Sequence, residues 1–312
     1  MPDRRRLVVP ADLDGERADR VVAVALGLAR AAARTMVAAG VVTCADTPVE
    51  PSARLAAGTV LDVAAPQPIP GLEAASVPFA VAYEDDAVIV VDKPSGVVVH
   101  PGAGHRHDTL VNGLVGRFPE LEYLGEEHRW GLVHRLDRET SGLLVVARSE
   151  AAHGFLQRAL KERRVGRTYL AMAVGELDAA TGTIEAPIGR DPAHPTRMTV
   201  LASGRPARTH YRRLAAWDGA TLLEVTLETG RTHQIRVHLA SIGTPVAGDR
   251  TYGRPSSPAV EPGRVWLHAA MLRFPHPSGR PEMEVRSPLP SDLTATLERL
   301  GAPVKGAVPG RL

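Results

Sequence analysis

The chain contains a single cysteine, Cys44, and few aromatic residues, which make up 4% of its 312 residues. One thiol excludes an intrachain disulfide and a cysteine-rich metal site. No apolar run approaches the ~20 residues that are needed to span a bilayer. Residues 1–6 are charged, unlike the apolar stretch of a signal peptide. We therefore expect a cytoplasmic protein that does not enter the membrane.

Lysine is also scarce, because Lys93, Lys161 and Lys305 are the only lysines among 37 basic residues. A GC-rich genome would produce this bias, but arginine also suits phosphate clamping and stacking on bases. The formal net charge is only +2. Any binding to nucleic acid must therefore come from local patches of charge and not from the protein as a whole.

The composition changes at residues 64–71, where three prolines alternate with other residues and predict an extended linker. We divide the chain into a small module over residues 1–64, a linker over 65–76, a larger body over 77–302 and a flexible tail over 303–312. The body reads as mixed α/β. Its predicted strands are 87–91, 143–147, 168–174, 209–214 and 221–227, and its predicted helices are 150–161, 233–240 and 291–300.

Two helices are predicted in the small module, over residues 19–28 and 30–39, and the second stops at Gly40. Arg30 and Arg34 are four residues apart and therefore share one face of the second helix. On spacing alone, that face is simply solvated. The order of paired helices, a glycine before a strand and a closing strand at 60–63 resembles the S4 RNA-binding module. The resemblance implies that Arg30 and Arg34 contact RNA.

The most informative run in the body is residues 134–142, HRLDRETSG, which leads into the apolar strand 143–147. It places Asp137 between Arg135 and Arg138, in a turn at the end of a rigid element. Loops on a rigid scaffold are where catalytic groups concentrate. An isolated aspartate in a polar turn more commonly caps that turn, so the interpretation depends on the rest of the body.

Four further segments accompany this run: 91–102, 167–171, 227–239 and 248–253. Together and in this order they resemble the RluA/RluD-type pseudouridine synthases, especially the branch with an N-terminal S4 domain that acts on large-subunit ribosomal RNA. The resemblance extends over the chain to about Leu289. It implies an α+β fold in which a mixed, mainly antiparallel sheet forms the catalytic domain and a small S4-like module precedes it.

The resemblance also implies the catalytic residues. Asp137 would be the nucleophile that attacks the ribose C1′ or the base that removes a proton from C2′, and the sequence leaves both open. Tyr169 would be the active-site tyrosine that stacks on uracil. Arg231 would pair with Asp137, and Arg236 would be the less favoured partner or a phosphate contact. Arg135 would occupy the space that a flipped base leaves.

The remaining basic residues receive more modest interpretations. His134, His233 and His238 are expected to be structural or to contact RNA, without a role in proton transfer. Lys93 is expected to be a phosphate contact or a surface charge. Neither CxxC, HExxH, GxGxxG nor GxxxxGK[ST] occurs, and an isomerisation involves no net redox change. We therefore expect no metal and no cofactor.

The function predicted from these residues is isomerisation of uridine to pseudouridine in large-subunit (23S) ribosomal RNA by a monomeric enzyme. One alternative is the same chemistry on transfer RNA. Another is a ribosome-assembly factor that only binds RNA. A glycosidase would need a second carboxylate across the sugar ring, and Glu139 is too close to Asp137 in sequence to serve as one.

Overall fold

A computed structural model describes residues 4–26, 30–38, 40–45, 47–64, 72–102, 105, 107–121, 124, 130–177, 179–254, 260 and 263–310. The chain divides into two compact units. The first comprises the described residues up to Glu73 together with Leu124, and the second comprises Ala74–Leu121 and Trp130–Leu312. Most of the predicted linker, residues 65–71, lies outside the described residues. No helix in the described ranges is both long and apolar enough to cross a membrane.

The first unit pairs two helices with a small antiparallel sheet. Its elements are β1 (Arg4–Val8), β2 (Glu16–Arg17), α1 (Ala18–Leu26), α2 (Arg30–Ala38), β3 (Val42–Cys44), β4 (Thr47–Pro48), β5 (Arg54–Leu55) and β6 (Val60–Ala64). The sheet order is β1-β6-β3-β4. Val21 and Val22 of α1, Val37 of α2 and Leu61 of β6 are buried in one core. The two predicted helices are therefore present, and each packs an apolar stripe against the strands.

The second unit is built on a ten-stranded sheet. The strands of the second unit, inside and outside that sheet, are β7 (Ala80–Glu84), β8 (Val88–Lys93), β9 (Ser141–Ala147), β10 (Gly166–Val174), β11 (Thr181–Glu185), β12 (Ile188–Arg190), β13 (Met198–Val200), β14 (Arg208–Trp217), β15 (Ala220–Leu227), β16 (Leu267–Phe274), β17 (Met283–Arg286) and β18 (Lys305–Gly306). Its helices are α3 (Leu110–Arg117), α4 (Glu150–Lys161), α5 (Gln234–Ser241) and α6 (Ser291–Leu300).

The main path of the sheet runs β11-β14-β15-β10-β16-β9-β8-β7, with β17 on β16 and β18 on β14, while β12 and β13 form a separate hairpin. Among the described strands of this sheet the pairs are antiparallel, except that β9 runs parallel to β16. The predicted α+β class with a mainly antiparallel sheet is confirmed. The centre of the sheet brings β9, which follows Asp137, within one strand of β10, which carries Tyr169.

Two helices cover the sheet through separate cores. Leu156 of α4 packs with Val145 of β9, and Leu293 of α6 packs with Leu170 and Met172 of β10. Each leucine that is fully buried in this way contributes roughly 2 kcal/mol. Successive side chains of a strand point to opposite faces, so Tyr169 lies on the face of β10 away from α6.

The end of the chain differs from the expected flexible tail. Lys305 and Gly306 form β18 and pair with Ala216 and Ala215 of β14. The nitrogen of Val304 also donates to the carbonyl of Ala216 at 2.8 Å. Sequence alone did not indicate this because two residues of strand carry no periodicity, and their pairing depends on an open position beside β14.

Candidate active site

The loop that carries Asp137 is held by the turn after β8. The nitrogen of Gly96 donates to the carbonyl of Arg138 at 2.8 Å, and Ser95 Oγ donates to the carbonyl of Glu139 at 2.8 Å. The Asp137 side chain itself is 18% exposed. A partly accessible carboxylate on a loop fixed through its own backbone is suited to act on a ligand without moving.

Arg264, which precedes β16, holds the same loop from the other side. Its Nη1 donates to the carbonyl of Glu139 at 3.1 Å, and its Nη2 donates to Ser141 Oγ at 3.2 Å. At Gly142 there is no space for a side chain, because a Cβ would lie 2.3 Å from the carbonyl oxygen of Ala269. The glycine that ends the 134–142 run therefore permits β9 to approach β16 closely.

Lys93 is fully buried beneath this loop, so the expected phosphate contact or surface charge is wrong. Its Nζ donates to the carbonyls of Pro94 and Val97 at 2.9 Å and of Arg138 at 3.1 Å. Burial is the main cause that lowers the pKa of Lys93 to about 7. The charge of Asp137 raises this pKa, and the charge of Arg264 lowers it further. Lys93 thus joins the turn after β8 to the residue that follows Asp137.

Replacement of Lys93 by methionine should reduce the free energy of unfolding by about 3 kcal/mol, because three carbonyls lose the donor that the buried lysine supplies. Turnover should also fall, since the carbonyl of Arg138 is no longer held beside Asp137. Denaturant unfolding and steady-state kinetics measure the two effects. Lys161→Met, at an exposed lysine of α4, is the matched control. Equal unfolding midpoints for the two variants would show that Lys93 does not support the loop.

Arg236, on α5, is the ion-pair partner of Asp137. Its Nη1 lies 3.3 Å from Asp137 Oδ2, while Nε and Nη2 bind the two carboxylate oxygens of Asp249 at 2.7 and 2.9 Å. Burial works to lower the pKa of Arg236, but the hydrogen bonds and charges of Asp249 and Asp137 outweigh it and raise the pKa. The two-bond fork to Asp249 fixes the plane of the guanidinium and hence the position of Nη1.

Asp249 is itself held by the turn that follows α5. Its side chain is fully buried, and Oδ1 accepts hydrogen bonds from the backbone nitrogens of Thr251 at 2.9 Å and Tyr252 at 3.1 Å. Burial works to raise the pKa of Asp249, but these bonds and the charge of Arg236 lower it. The ring of Tyr252 covers the guanidinium of Arg236, with 5.1 Å between the guanidinium carbon and the ring centroid.

The orientation of α5 explains why Arg236 faces Asp137. Gln234 donates to Thr209 Oγ1 at 2.9 Å, and His238 Nδ1 lies 2.8 Å from the same oxygen. These two residues therefore fix one face of α5 on β14. At about 3.6 residues per turn, Arg236 points to the opposite side of the helix, where Asp137 lies.

The pairing predicted between Arg231 and Asp137 is therefore made by Arg236 instead. Arg231 lies in the loop before α5, and its Nε donates to the carbonyl of Pro206 at 3.0 Å. Burial lowers the pKa of Arg231, as does the neighbouring charge of Arg205. Within the described ranges, no carboxylate pairs with either arginine. Arg231 therefore neighbours Arg205 and does not pair with Asp137.

Tyr169 is buried on β10, opposite Val225 of β15 and Ala269 of β16. Burial raises the pKa of Tyr169, the charge of Arg167 lowers it, and the charge of Asp137 raises it. The phenol is therefore un-ionised at neutral pH and lies close enough to Asp137 to experience its charge. Asp137 thus contacts Arg236 directly and lies within electrostatic range of Tyr169.

The sequence also predicts Arg135, Arg34 and Arg30 as residues that contact RNA or take part in base flipping. Arg135 is exposed and forms no ion pair within the described part of the chain, but its charge acts on the pKa of His233. Arg34 is exposed on α2, and the side chain of Arg30 lies outside the described residues. His134 is kept neutral because burial and the charge of Arg167 lower its pKa to about 3.

The roles of Asp249 and Tyr252 were not predicted from the sequence. The segment 248–253 contributed only to the family resemblance, although an aspartate and a tyrosine lie three residues apart in it. The signal that identifies them is spatial: both contact Arg236, which is 13 residues from Asp249.

Comparison with known proteins supports the same chemistry. A family model described as RNA pseudouridylate synthase matches residues 87–241. A protein from Chloroflexus aurantiacus with the name Uncharacterized RNA pseudouridine synthase is 45% identical over 300 residues, which cover 96% of this chain and 94% of that protein. The chain belongs to the RNA pseudouridylate synthase family. The synthase is thus an isomerase that acts on RNA, and the predicted RluA/RluD-type resemblance is confirmed.

Two further relatives of the synthase have the name Ribosomal large subunit pseudouridine synthase D. The protein from Nitrosomonas europaea is 48% identical over 234 residues, which cover 73% of this chain and 67% of that protein. The protein from Salmonella typhimurium is 42% identical over 241 residues, which cover 74% and 73%.

Solved structures show the same fold. Human RNA Pseudouridylate Synthase Domain Containing 1 superposes on the synthase with a TM-score of 0.57 at 34% identity, over 70% of this chain and 87% of that one. Human RNA Pseudouridylate Synthase Domain Containing 4 has the same TM-score at 23% identity.

Proposed function

We propose that this synthase converts uridine to pseudouridine in large-subunit ribosomal RNA, with Asp137 as the catalytic carboxylate. The observation that carries the proposal is the chain of contacts from Asp249 through Arg236 to Asp137, in which a buried ion pair orients a partly exposed carboxylate. The choice of RNA follows from relatives that have the name Ribosomal large subunit pseudouridine synthase D.

The reaction breaks the N-glycosidic bond, turns the base and joins C5 of uracil to the ribose C1′. A carboxylate that is ionised at neutral pH serves either as the nucleophile at C1′ or as the base that removes the C2′ proton. A primary kinetic isotope effect with deuterium at C2′ would assign proton removal. Its absence would assign attack at C1′.

Neighbouring side chains fit the remaining needs of the reaction. Un-ionised Tyr169, whose pKa is raised by the charge of Asp137, offers an aromatic ring against which uracil would pack. A base inside structured RNA must leave its stack before chemistry, and Arg135 is an exposed planar cation near the site that can fill the vacated space. Arg231, which lies near Arg205 and pairs with no carboxylate among the described residues, suits a phosphate of the RNA backbone.

The first unit is proposed to add affinity for RNA and no chemistry. Its two-helix arrangement on a four-stranded sheet is consistent with an S4-like module, and Arg34 on α2 is exposed to solvent.

The substrate is tested by tritium release from three transcripts labelled at uridine C5: large-subunit RNA, small-subunit RNA and transfer RNA. Formation of the new carbon bond at C5 displaces the label. We expect release from large-subunit RNA alone, saturating at a small fixed number of equivalents per transcript. Release from transfer RNA alone would replace the proposed substrate. Failure on all three, and on assembling large subunits, would contradict the proposal.

A further inference from the structure

His233 immediately precedes α5, in the left-handed conformation at φ 56°. Its Nδ1 lies 2.7 Å from the hydroxyl of Tyr252, and the two rings meet edge to face with centroids 5.6 Å apart. The same tyrosine covers Arg236. His233 thus contacts the tyrosine that packs on the Asp249–Arg236 ion pair, although the proposed chemistry gives it no role.

The contacts of Tyr252 determine which nitrogen of His233 carries the proton. The tyrosine hydroxyl accepts the backbone N–H of Met198 at 2.9 Å. Within the described residues, its own proton has one acceptor, His233 Nδ1. Because Tyr252 is partly buried and an unmade hydrogen bond costs free energy, the O–H donates to Nδ1. A neutral imidazole has one donor nitrogen and one acceptor nitrogen, so the proton of His233 is on Nε2.

The Nε2–H group is available to a ligand. It forms no hydrogen bond with the described residues. It is also not fully buried, so it reaches solvent. Burial lowers the pKa of His233, the charges of Asp137 and Asp249 raise it, and those of Arg236 and Arg135 lower it, with a net lowering. The ring is therefore a neutral donor at pH 7, close to the carboxylate that acts on the sugar.

We propose that His233 donates a hydrogen bond from Nε2–H to an uncharged oxygen of the target uridine, and that Tyr252 is a positioning residue that fixes the donor tautomer. The proposal rests on the role proposed for Asp137. A neutral donor favours a carbonyl of uracil or the ribose 2′-hydroxyl over a phosphate, for which Arg231 is the proposed ligand.

The test compares His233→Ala, His233→Gly and His233→Gln on the labelled large-subunit transcript. We expect kcat/KM to fall about tenfold to a hundredfold in the alanine and glycine variants, as for one lost hydrogen bond to substrate. Glycine adopts φ 56° without strain, so equal losses exclude a backbone effect. Glutamine supplies an N–H at a similar reach and should restore part of the rate. His194→Ala, at an exposed histidine, is the matched control and should retain the wild-type rate.

Modified substrates identify the oxygen. RNAs with 2-thiouridine, 4-thiouridine or 2′-deoxyuridine at the target position weaken or remove one acceptor each. The loss caused by His233→Ala should shrink with one of them, because the two changes then remove the same hydrogen bond. Undiminished losses with all three, together with a flatter salt dependence of binding, would assign His233 to a phosphate and overturn the proposal.

Tyr252→Phe tests the positioning role. It keeps the ring over Arg236 and removes the hydroxyl. Nitrogen-15 spectra of the His233 ring should show the Nε2–H tautomer in the wild type and a mixture of tautomers in the variant. An Nδ1–H tautomer in the wild type would overturn the assignment. Wild-type rates for His233→Ala, with Asp137→Asn inactive, would reject His233 while leaving the proposed function intact.

Discussion

Asp137→Asn should abolish turnover, with a fall in kcat of about 10⁴-fold or more, the magnitude that the loss of a catalytic nucleophile produces. Asparagine has the same shape and still offers an oxygen to Arg236, but it supplies neither an anionic nucleophile nor a base. Affinity for RNA should not fall, because the substitution removes a negative charge from a site that binds a polyanion. Tritium release under single-turnover conditions and filter binding measure the two quantities.

Asp218→Asn is the matched control for this substitution. Asp218 is exposed in the two-residue turn between β14 and β15, where Gly219 follows it at φ 75°. Asn-Gly serves such a turn as well as Asp-Gly, so this variant should keep the wild-type rate. Turnover by Asp137→Asn within tenfold of the control would exclude Asp137 as the group that acts on the sugar.

Arg236→Met should reduce kcat about a hundredfold to a thousandfold, because the carboxylate of Asp137 loses the group that orients it. It should also destabilise the fold by about 3–5 kcal/mol, because the buried carboxylate of Asp249 loses its positively charged partner. Arg236→Lys retains the charge but not the two-bond fork, so its kcat should lie between those of the methionine variant and the wild type.

The double variant Arg236→Met with Asp249→Leu separates stability from catalysis. Replacing both members of a buried ion pair by apolar side chains often restores stability, so the unfolding midpoint should recover while kcat stays low. Recovery of kcat along with stability would show that Arg236 only holds the fold together.

Arg231→Met provides the contrasting case within the same segment. It should raise KM, leave kcat at saturating RNA within about threefold, and reduce the salt slope of binding by about one, as expected for one lost phosphate contact. A loss of kcat as large as that of Arg236→Met would return Arg231 to the catalytic group.

Local signals in the sequence predicted several elements closely. The prediction of a helix at 150–161 matches α4, which begins after Ser149, whose Oγ accepts the nitrogen of Ala152. The prediction at 291–300 matches α6, which ends before Gly301 at φ 65°. Caps, periodicity and continuous apolar runs are encoded within a few residues and need no knowledge of the rest of the chain.

Strands whose composition suits a helix were not predicted. β16, with the sequence LHAAMLRF, is rich in alanine, leucine and methionine, which favour helices. Its position between β9 and β10 overrides that preference. β7 was missed for a related reason, since a short edge strand with a partly exposed pattern resembles a loop.

Whether Arg231 or Arg236 pairs with Asp137 could be decided only from the three-dimensional structure. Arg231 and Arg236 occupy one basic run, and the resemblance favoured the first. The structure starts α5 at Gln234, so Arg231 lies in the loop and turns toward Pro206, while Arg236 lies on the helix face opposite Gln234 and His238. The predicted helix, 233–240, already left Arg231 in the loop and placed Arg236 on the helix, but the sequence did not show which side of that helix faces Asp137.

The order of strands in the sheet has a consequence for synthesis of the protein on the ribosome. By the time Tyr252 has been added, the growing chain already carries Asp137, Tyr169, Arg236 and Asp249. It still lacks β16, the strand that separates and joins β9 and β10, and Arg264, which holds the Asp137 loop. We therefore expect the proposed active site to be complete only after Phe274 has emerged, so a nascent or prematurely terminated chain that already carries Asp137, Tyr169, Arg236 and Asp249 should not modify RNA.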